Sequence, residues 1–286
     1  MKPNHFKESR DRRTRPLRNT AECWHDAPVS ETTTDAFRVQ NLHKSFGELH
    51  VLKGVDMQFP RGKTTVVLGP SGCGKSVLLR HLVGLEKPDQ GSVWFGQQRI
   101  DQLTESQLID PRRQIGFLFQ QGALFDSLTV QDNIAFPLIE HGVASGAKAR
   151  AMVEHVLHLV GLNDKINVMP ASLSGGQRKR VALARAIVMQ PAVVLYDEPT
   201  TGLDPITSDV INELIVKLAR ELNITSIVVT HDLASAFQVA DRIIMLYDGR
   251  VELAGTPAQV RQSELPVVAR FLKGKASPEE LAEIQS

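Results

Sequence analysis

The run Gly69-Pro70-Ser71-Gly72-Cys73-Gly74-Lys75-Ser76 fits the pattern G-x-x-x-x-G-K-[ST]. It follows the β-branched stretch Thr64-Thr65-Val66-Val67-Leu68 and precedes the helical stretch Val77-Leu78-Leu79-Arg80-His81-Leu82, the context in which that pattern cradles phosphate. Glycines let the backbone fold back and aim successive N–H groups at an anion, and the start of the next helix adds partial positive charge. Residues Gly69 to Val77 are therefore read as nucleotide-contacting. Lys75 is suited to the β- and γ-phosphates and the Ser76 hydroxyl to Mg²⁺. Cys73 is a small filler within this loop, with redox sensing as the alternative.

A second chemical stretch is Asp197-Glu198, at the end of the apolar run Ala192-Val193-Val194-Leu195-Tyr196. Two carboxylates at the end of a buried strand are costly without a cation or partner. Beside a phosphate loop the evident cation is Mg²⁺, which assigns Asp197 to the metal shell and Glu198 to the attacking water; capping the next helix is the alternative. A third stretch, Leu173-Ser174-Gly175-Gly176-Gln177, places a hydroxyl and two glycines at a helix start, another anion-binding terminus. One chain needs one cradle per nucleotide, which leaves the second without a nucleotide of its own.

The elements that must position these groups alternate. Phe37-Arg38-Val39-Gln40-Asn41-Leu42, Val51 to Met57 and Ser92-Val93-Trp94-Phe95 are β-rich, and Ile115-Gly116-Phe117-Leu118-Phe119 is a short apolar strand ending at Gln120-Gln121. Thr129 to Val160 reads as helical, with i, i+3, i+4 apolar spacing from Ala147. After Ser174 come a helix to Met189, the strand 192–196, a helix from Thr207 to Leu222, the strand Thr225 to Val229, a helix from Ala234 to Val239 and the strand Arg242 to Leu246. Such alternation implies an α/β fold with a mainly parallel sheet covered on both faces. There are no internal repeats. Phe46, in Ser45-Phe46-Gly47, is either an exposed ring able to stack on adenine or an ordinary core residue.

Composition sets bounds. The chain has 286 residues, 42% of them hydrophobic, and 33 basic against 32 acidic side chains, a balance with no pull toward nucleic acid or an anionic membrane. Its two cysteines, Cys23 and Cys73, lack metal-ligand spacing, which suggests a reducing compartment and no structural zinc. No apolar run approaches the roughly 20 residues needed to cross a bilayer, so membrane work requires a partner chain. Residues 1–35 carry arginines without an apolar core and read as a disordered cytosolic extension, its arginines solvated rather than bound to lipid headgroups or RNA.

Taken together, these motifs resemble the nucleotide-binding subunits of ATP-binding cassette (ABC) transporters, over about residues 36–256. The phosphate loop, Gln120 as the glutamine loop, the signature Leu173 to Gln177, the pair Asp197-Glu198, the aspartate loop Gly202-Leu203-Asp204 and His231 as the switch histidine stand in that family's order. The resemblance implies a P-loop NTPase (RecA-like) core with an N-terminal antiparallel β subdomain, and an inserted α-helical subdomain at about 120–172 whose cleft beside Gln120 receives a helix of a transmembrane permease. It implies ATP and Mg²⁺ as cofactors, with Ser76, Asp197 and Gln120 on the metal. It implies a head-to-tail homodimer in which each nucleotide is held by Lys75 and Ser76 of one subunit and by Ser174 and Gly176 of the other, with Gly175, Gln177 and Asp204 also counted as nucleotide-binding. Glu198 is then the general base, His231 senses the γ-phosphate, and Gln120 reports the site to the permease.

The segments Leu118 to Val130, Asp204 to Asp209 and Pro266 to Leu272 are similar to cassettes of the Mla/MCE phospholipid transport systems, which move phospholipid between inner and outer membranes. That branch implies an MCE lipid-binding protein and a small STAS-domain subunit as partners, no nucleic acid, and a peripheral place on the cytoplasmic face of the inner membrane. Gln177 departs from the Met that many members of the branch carry. Cassettes for another solute, or a soluble ABC protein without transport, are the alternatives; the cargo rests on resemblance alone. Residues 257–286 read as a helical tail, with starts at Thr256-Pro257 and at Ser277-Pro278-Glu279-Glu280.

Overall fold

The computed structural model describes residues 35–275. The chain opens with the antiparallel pair β1 (Asp35–Phe46) and β2 (Leu49–Pro60), turned through Gly47 at φ 60°. Next come β3 (Thr64–Leu68), the phosphate loop and α1 (Lys75–Leu82), then β4 (Gln90–Phe95) and the short β5 (Gln98–Arg99). β4 pairs with β1 and β5 with β4, making a four-stranded sheet in the order β2-β1-β4-β5.

A helical section follows: α2 (Glu105–Arg113), the strand β6 (Ile115–Leu118), α3 (Val130–Glu140) and α4 (Gly146–Leu159). The alternating half comprises α5 (Gly175–Ile187), β7 (Val193–Asp197), α6 (Pro205–Glu221), β8 (Thr225–Thr230), α7 (Leu233–Val239), β9 (Arg242–Tyr247) and β10 (Arg250–Gly255). The short helices α8 (Pro257–Arg261) and α9 (Pro266–Leu272) close the described chain. The reading of residues 1–34 as an extension, and the helix start at Ser277, lie outside the described residues; Asp35, read with the extension, begins β1.

The second sheet has six strands in the order β10-β9-β3-β8-β7-β6. Neighbours from β9 to β6 run parallel, and β10 alone is antiparallel, at the edge. Parallel strands buried on both faces read as continuous apolar runs because alternate residues feed opposite cores. Val66, Leu68, Val194, Tyr196, Val228, Ile243 and Met245 pack into the core shared with α3, α4, α5 and α6. Val67, Val193, Leu195, Ile227, Val229, Ile244 and Leu246 pack into the core shared with α1 and the antiparallel sheet. Each such side chain contributes about 1.5–3 kcal/mol by leaving water. The central strands are therefore fixed from both sides, and their C-terminal ends, at Leu68, Asp197 and Thr230, are fixed next to one another.

Candidate functional site

β3, β7 and β8 lie side by side, so the residues that follow them converge: Gly69, Glu198 and His231. Gly74 caps α1 at φ 104°, a left-handed conformation, and a Cβ there would meet Leu52 at 2.8 Å. Only glycine fits that turn, and the turn gives the loop its concave backbone. Cys73 is buried, and burial pushes its thiol up against the opposing charge of Lys75, which favours the filler reading over a reactive thiol. Pro70, Ser71 and Gly72 stay at the surface, and the Val77 carbonyl faces the His81 ring within α1.

Lys75 is 5% exposed and donates to the carbonyls of Gly69 and Pro70, both at 2.8 Å. Its ammonium also lies 3.6 Å from Glu198 Oε1. The Ser76 hydroxyl donates to Asp197 Oδ1 at 2.9 Å, joining the loop to the end of β7. Burial raises the Asp197 carboxyl above its usual range; the Ser76 hydroxyl opposes this, and the Glu198 charge reinforces it. A cation here would relieve that destabilised anion. Among the described residues no group of three or more His, Cys, Asp or Glu side chains is assembled to hold a metal by itself. The pair Ser76 and Asp197 fits Mg²⁺, which takes one or two protein ligands and draws the rest from phosphate oxygens and water.

Glu198 is the most connected acid of the site. It is 7% exposed and has φ 48°, a left-handed value uncommon for a residue with a side chain. Such strain, of order 1–3 kcal/mol, persists where surrounding contacts over-determine it. Here the Glu198 amide donates to the Val229 carbonyl at 3.0 Å, and its carboxylate accepts from Thr201 and Thr230 hydroxyls, each at 3.2 Å. His231 Nδ1 lies 2.9 Å from Glu198 Oε2. That geometry places the proton on Nδ1 and leaves Nε2, on a ring about half exposed, free to meet a ligand.

The signature is built differently. Ser174 caps α5 in a reciprocal capping box, its hydroxyl accepting from the Gln177 amide at 3.2 Å while Gln177 Oε1 accepts from the Ser174 amide at 3.0 Å. Gly176 lies so close to the Thr207 side chain that a Cβ would overlap it, and a Cβ on Gly175 would touch Leu203 at 3.4 Å. Asp204 caps α6, and the Thr207 hydroxyl and amide hold its carboxyl below the usual range. No hydrogen bond or ion pair among the described residues joins Ser174–Gln177 to residues 69–77. Phe46 is 44% exposed, so it is not a core residue, and the Lys44 ammonium sits 5.2 Å from its ring centre. Gln120 is exposed just after β6, and its backbone carbonyl accepts from Lys179.

Lys179, Thr201 and Thr230 are site residues that the motif reading did not single out. Lys179 is buried on α5 and also reaches the Glu198 carbonyl at 3.4 Å. Burial lowers its ammonium, and the carboxylates of Asp197 and Glu198 oppose that shift. A lysine on the inner face of an apolar helix is a readable signal for a buried acceptor. Thr201 and Thr230 are read only once β7 and β8 are known to be neighbours.

Fold and site together define a P-loop nucleoside triphosphatase. The ABC transporter family model matches residues 52–201, more than half of the chain. The chain is 41% identical over 238 residues to the intermembrane phospholipid transport system ATP-binding protein MlaF of Haemophilus influenzae, covering 83% of this chain and 90% of that one. It is 43% identical over 236 residues to the sulfate/thiosulfate import ATP-binding protein CysA of Synechocystis, covering 82% and 64%. Among solved structures, the dimeric bacterial ABC transporter cassette MJ0796 superposes with a TM-score of 0.72 at 37% identity, covering 77% of this chain and 98% of that one. A second structure of that cassette, in a post-hydrolysis state bound to ADP and Pi, gives 0.71.

The chain belongs to the ABC transporter family, as an ATP-binding subunit. It is an ABC-type ATPase whose cofactors are ATP and Mg²⁺. Among the described residues no helix is long and apolar enough to cross a membrane.

Proposed function

We propose that this ATPase powers phospholipid movement between inner and outer membranes through a separate permease. The observation that carries the cargo assignment is the 41% identity to a phospholipid transport cassette along 83% of the chain. The comparable identity to a sulfate/thiosulfate import cassette supports the second reading, a cassette for another solute.

The chemistry rests on the charges gathered at the strand ends. Lys75 and the loop amides hold the β- and γ-phosphates, with Ser76 and Asp197 on Mg²⁺ and Gln120 joining the metal shell. Mg²⁺, held there by Ser76 and Asp197, would neutralise charge that develops on the phosphates. Glu198, oriented by Thr201, Thr230 and His231, takes the proton of the attacking water, and His231 contacts the γ-phosphate through Nε2. Phe46 stacks on the base. Ser174, Gly175, Gly176, Gln177 and Asp204 complete the site of a second copy, so the working unit is a head-to-tail homodimer. The amides of Gly175 and Gly176, at the start of α5 and outside the capping box, support that assignment, because unpaired N–H groups at a helix start suit an anion and no hydrogen bond among the described residues ties this stretch to its own chain's loop.

Residues 36–256 form the cassette, with 120–172 the inserted subdomain that receives the permease, and 257–286 a tail. The protein sits on the cytoplasmic face of the inner membrane, with an MCE lipid-binding protein and a small STAS-domain subunit as further partners. Affinity purification from native membranes tests this. A permease, an MCE protein and co-extracted phospholipid are expected, whereas a permease with a soluble-solute receptor and no MCE protein would overturn the lipid reading in favour of another solute.

A further inference from the structure

We propose that Lys179 is a positioning residue that couples the two ATP sites of the dimer by linking the signature helix to the carbonyls of Gln120 and Glu198. The inference rests on the composite-site reading above.

Ser174 and Lys179 stand on one helix, about 7.5 Å apart along its axis. Ser174, at the exposed N-terminus of α5, belongs to the nucleotide of the second copy. Lys179 points the other way: it is 6% exposed, and its ammonium donates to the Gln120 carbonyl and, at 3.4 Å, to the Glu198 carbonyl. Both acceptors lie in loops just past the ends of β6 and β7 rather than in regular strand pairing. The Glu198 backbone is thus held on two sides, by the Val229 carbonyl at its amide and by Lys179 at its carbonyl.

α5 is anchored in the larger core by Val181, Leu183, Ala184 and Ile187, and is taken to act as one rigid element. A shift of its N-terminus onto the partner's nucleotide carries the Lys179 ammonium with it. Both carbonyls follow, because a buried ammonium cannot leave its acceptors without orphaning them. The general base of one site and the glutamine loop beside it are thereby repositioned by occupancy of the other site. The coupling is reciprocal, since each copy contributes one α5 to each site.

A purely structural lysine would lower stability and rate together without changing how the sites respond to one another. The test is steady-state ATP hydrolysis by the full-length protein over a range of ATP concentrations, for the native chain and for Lys179→Met, Lys179→Gln, Lys179→Arg and Ser174→Arg. The native chain is expected to respond sigmoidally. Lys179→Met and Lys179→Gln are expected to give a hyperbolic response with kcat lowered about tenfold, within the range seen when catalytic groups are slightly misplaced. Lys179→Arg, which keeps the donors, is expected to restore the sigmoidal response.

A native sigmoidicity retained in either neutral variant, or a hyperbolic native response, would overturn the coupling role. Ser174→Arg reports on the underlying reading separately. Full hydrolysis in that variant would remove the composite site itself, whereas its loss together with unchanged sigmoidicity in Lys179→Gln would remove the Lys179 proposal alone.

Discussion

Glu198 gathers three hydrogen-bonding neighbours and a nearby ammonium on one buried carboxylate, at a backbone angle that few side-chain-bearing residues adopt. Two contacts come from β8 and its end, one from the loop after β7 and one from α1, so the orientation of the carboxylate reports the alignment of all three. Replacing it by glutamine keeps the volume and the acceptor oxygen for His231 but removes the basic site. Glu198→Gln is expected to bind ATP like the native chain while hydrolysis falls by a factor on the order of 10²–10⁴, the usual contribution of general base catalysis. Paired measurements of ATP retention and phosphate release check this; turnover within a few-fold of native would remove the base assignment. The loop and the acid pair were legible in sequence because each is a local pattern, whereas His231, a lone histidine after a strand, was singled out only by the family resemblance. Lys179, Thr201 and Thr230 were not, because their role exists only where β7, β8 and α5 meet.

At the scale of elements, α1 carries the phosphate loop at one end and a buried histidine at the other. His81 is 1% exposed, and its Nδ1 donates to the Val77 carbonyl at 2.8 Å. Burial lowers its pKa from 6.5, the Val77 carbonyl opposes, and the Lys44 charge reinforces the shift against Glu86. The unfolded chain therefore takes up a proton near pH 6.5 that the folded chain refuses until more acid conditions. Stability is full above that pH and declines as the pH falls through the window below it. Urea midpoints measured at about pH 7.5 and pH 5.5 are expected to differ less in His81→Asn, which keeps a donor near Nδ1, than in the native chain. An equal difference in both would sink the assignment.

Other elements show where the pattern in the sequence ran out. The helical run from Thr129 to Val160 is two helices, parted by a turn at Gly142 and a left-handed Gly146. α2 gave no apolar stripe, since only Leu108 and Pro111 of its residues are buried. β10 is an edge strand without a fully buried residue, so its alternation is weak. The doubly buried strands β3, β7 and β8 were plain for the opposite reason: each has an unbroken apolar centre, such as Val66, Val67 and Leu68 or Ile227, Val228 and Val229, because both of their faces are covered.

On the scale of the whole molecule, the chain has a phosphate loop with its acids at the mouth of the parallel sheet, and a separate helix start on α5 whose Gly176 lies against Thr207 of α6. In the head-to-tail homodimer proposed above, each terminus would lie over the other copy's loop. The decisive measurement counts ATP trapped per dimer, in a Glu198→Gln background, for two mixed dimers. In one, Lys75→Ala and Ser174→Arg sit on different subunits, which damages one composite site twice and spares the other; in the other, both sit on one subunit, which damages each site once. The account predicts one trapped ATP in the first dimer and none in the second. Equal trapping in the two arrangements would contradict it.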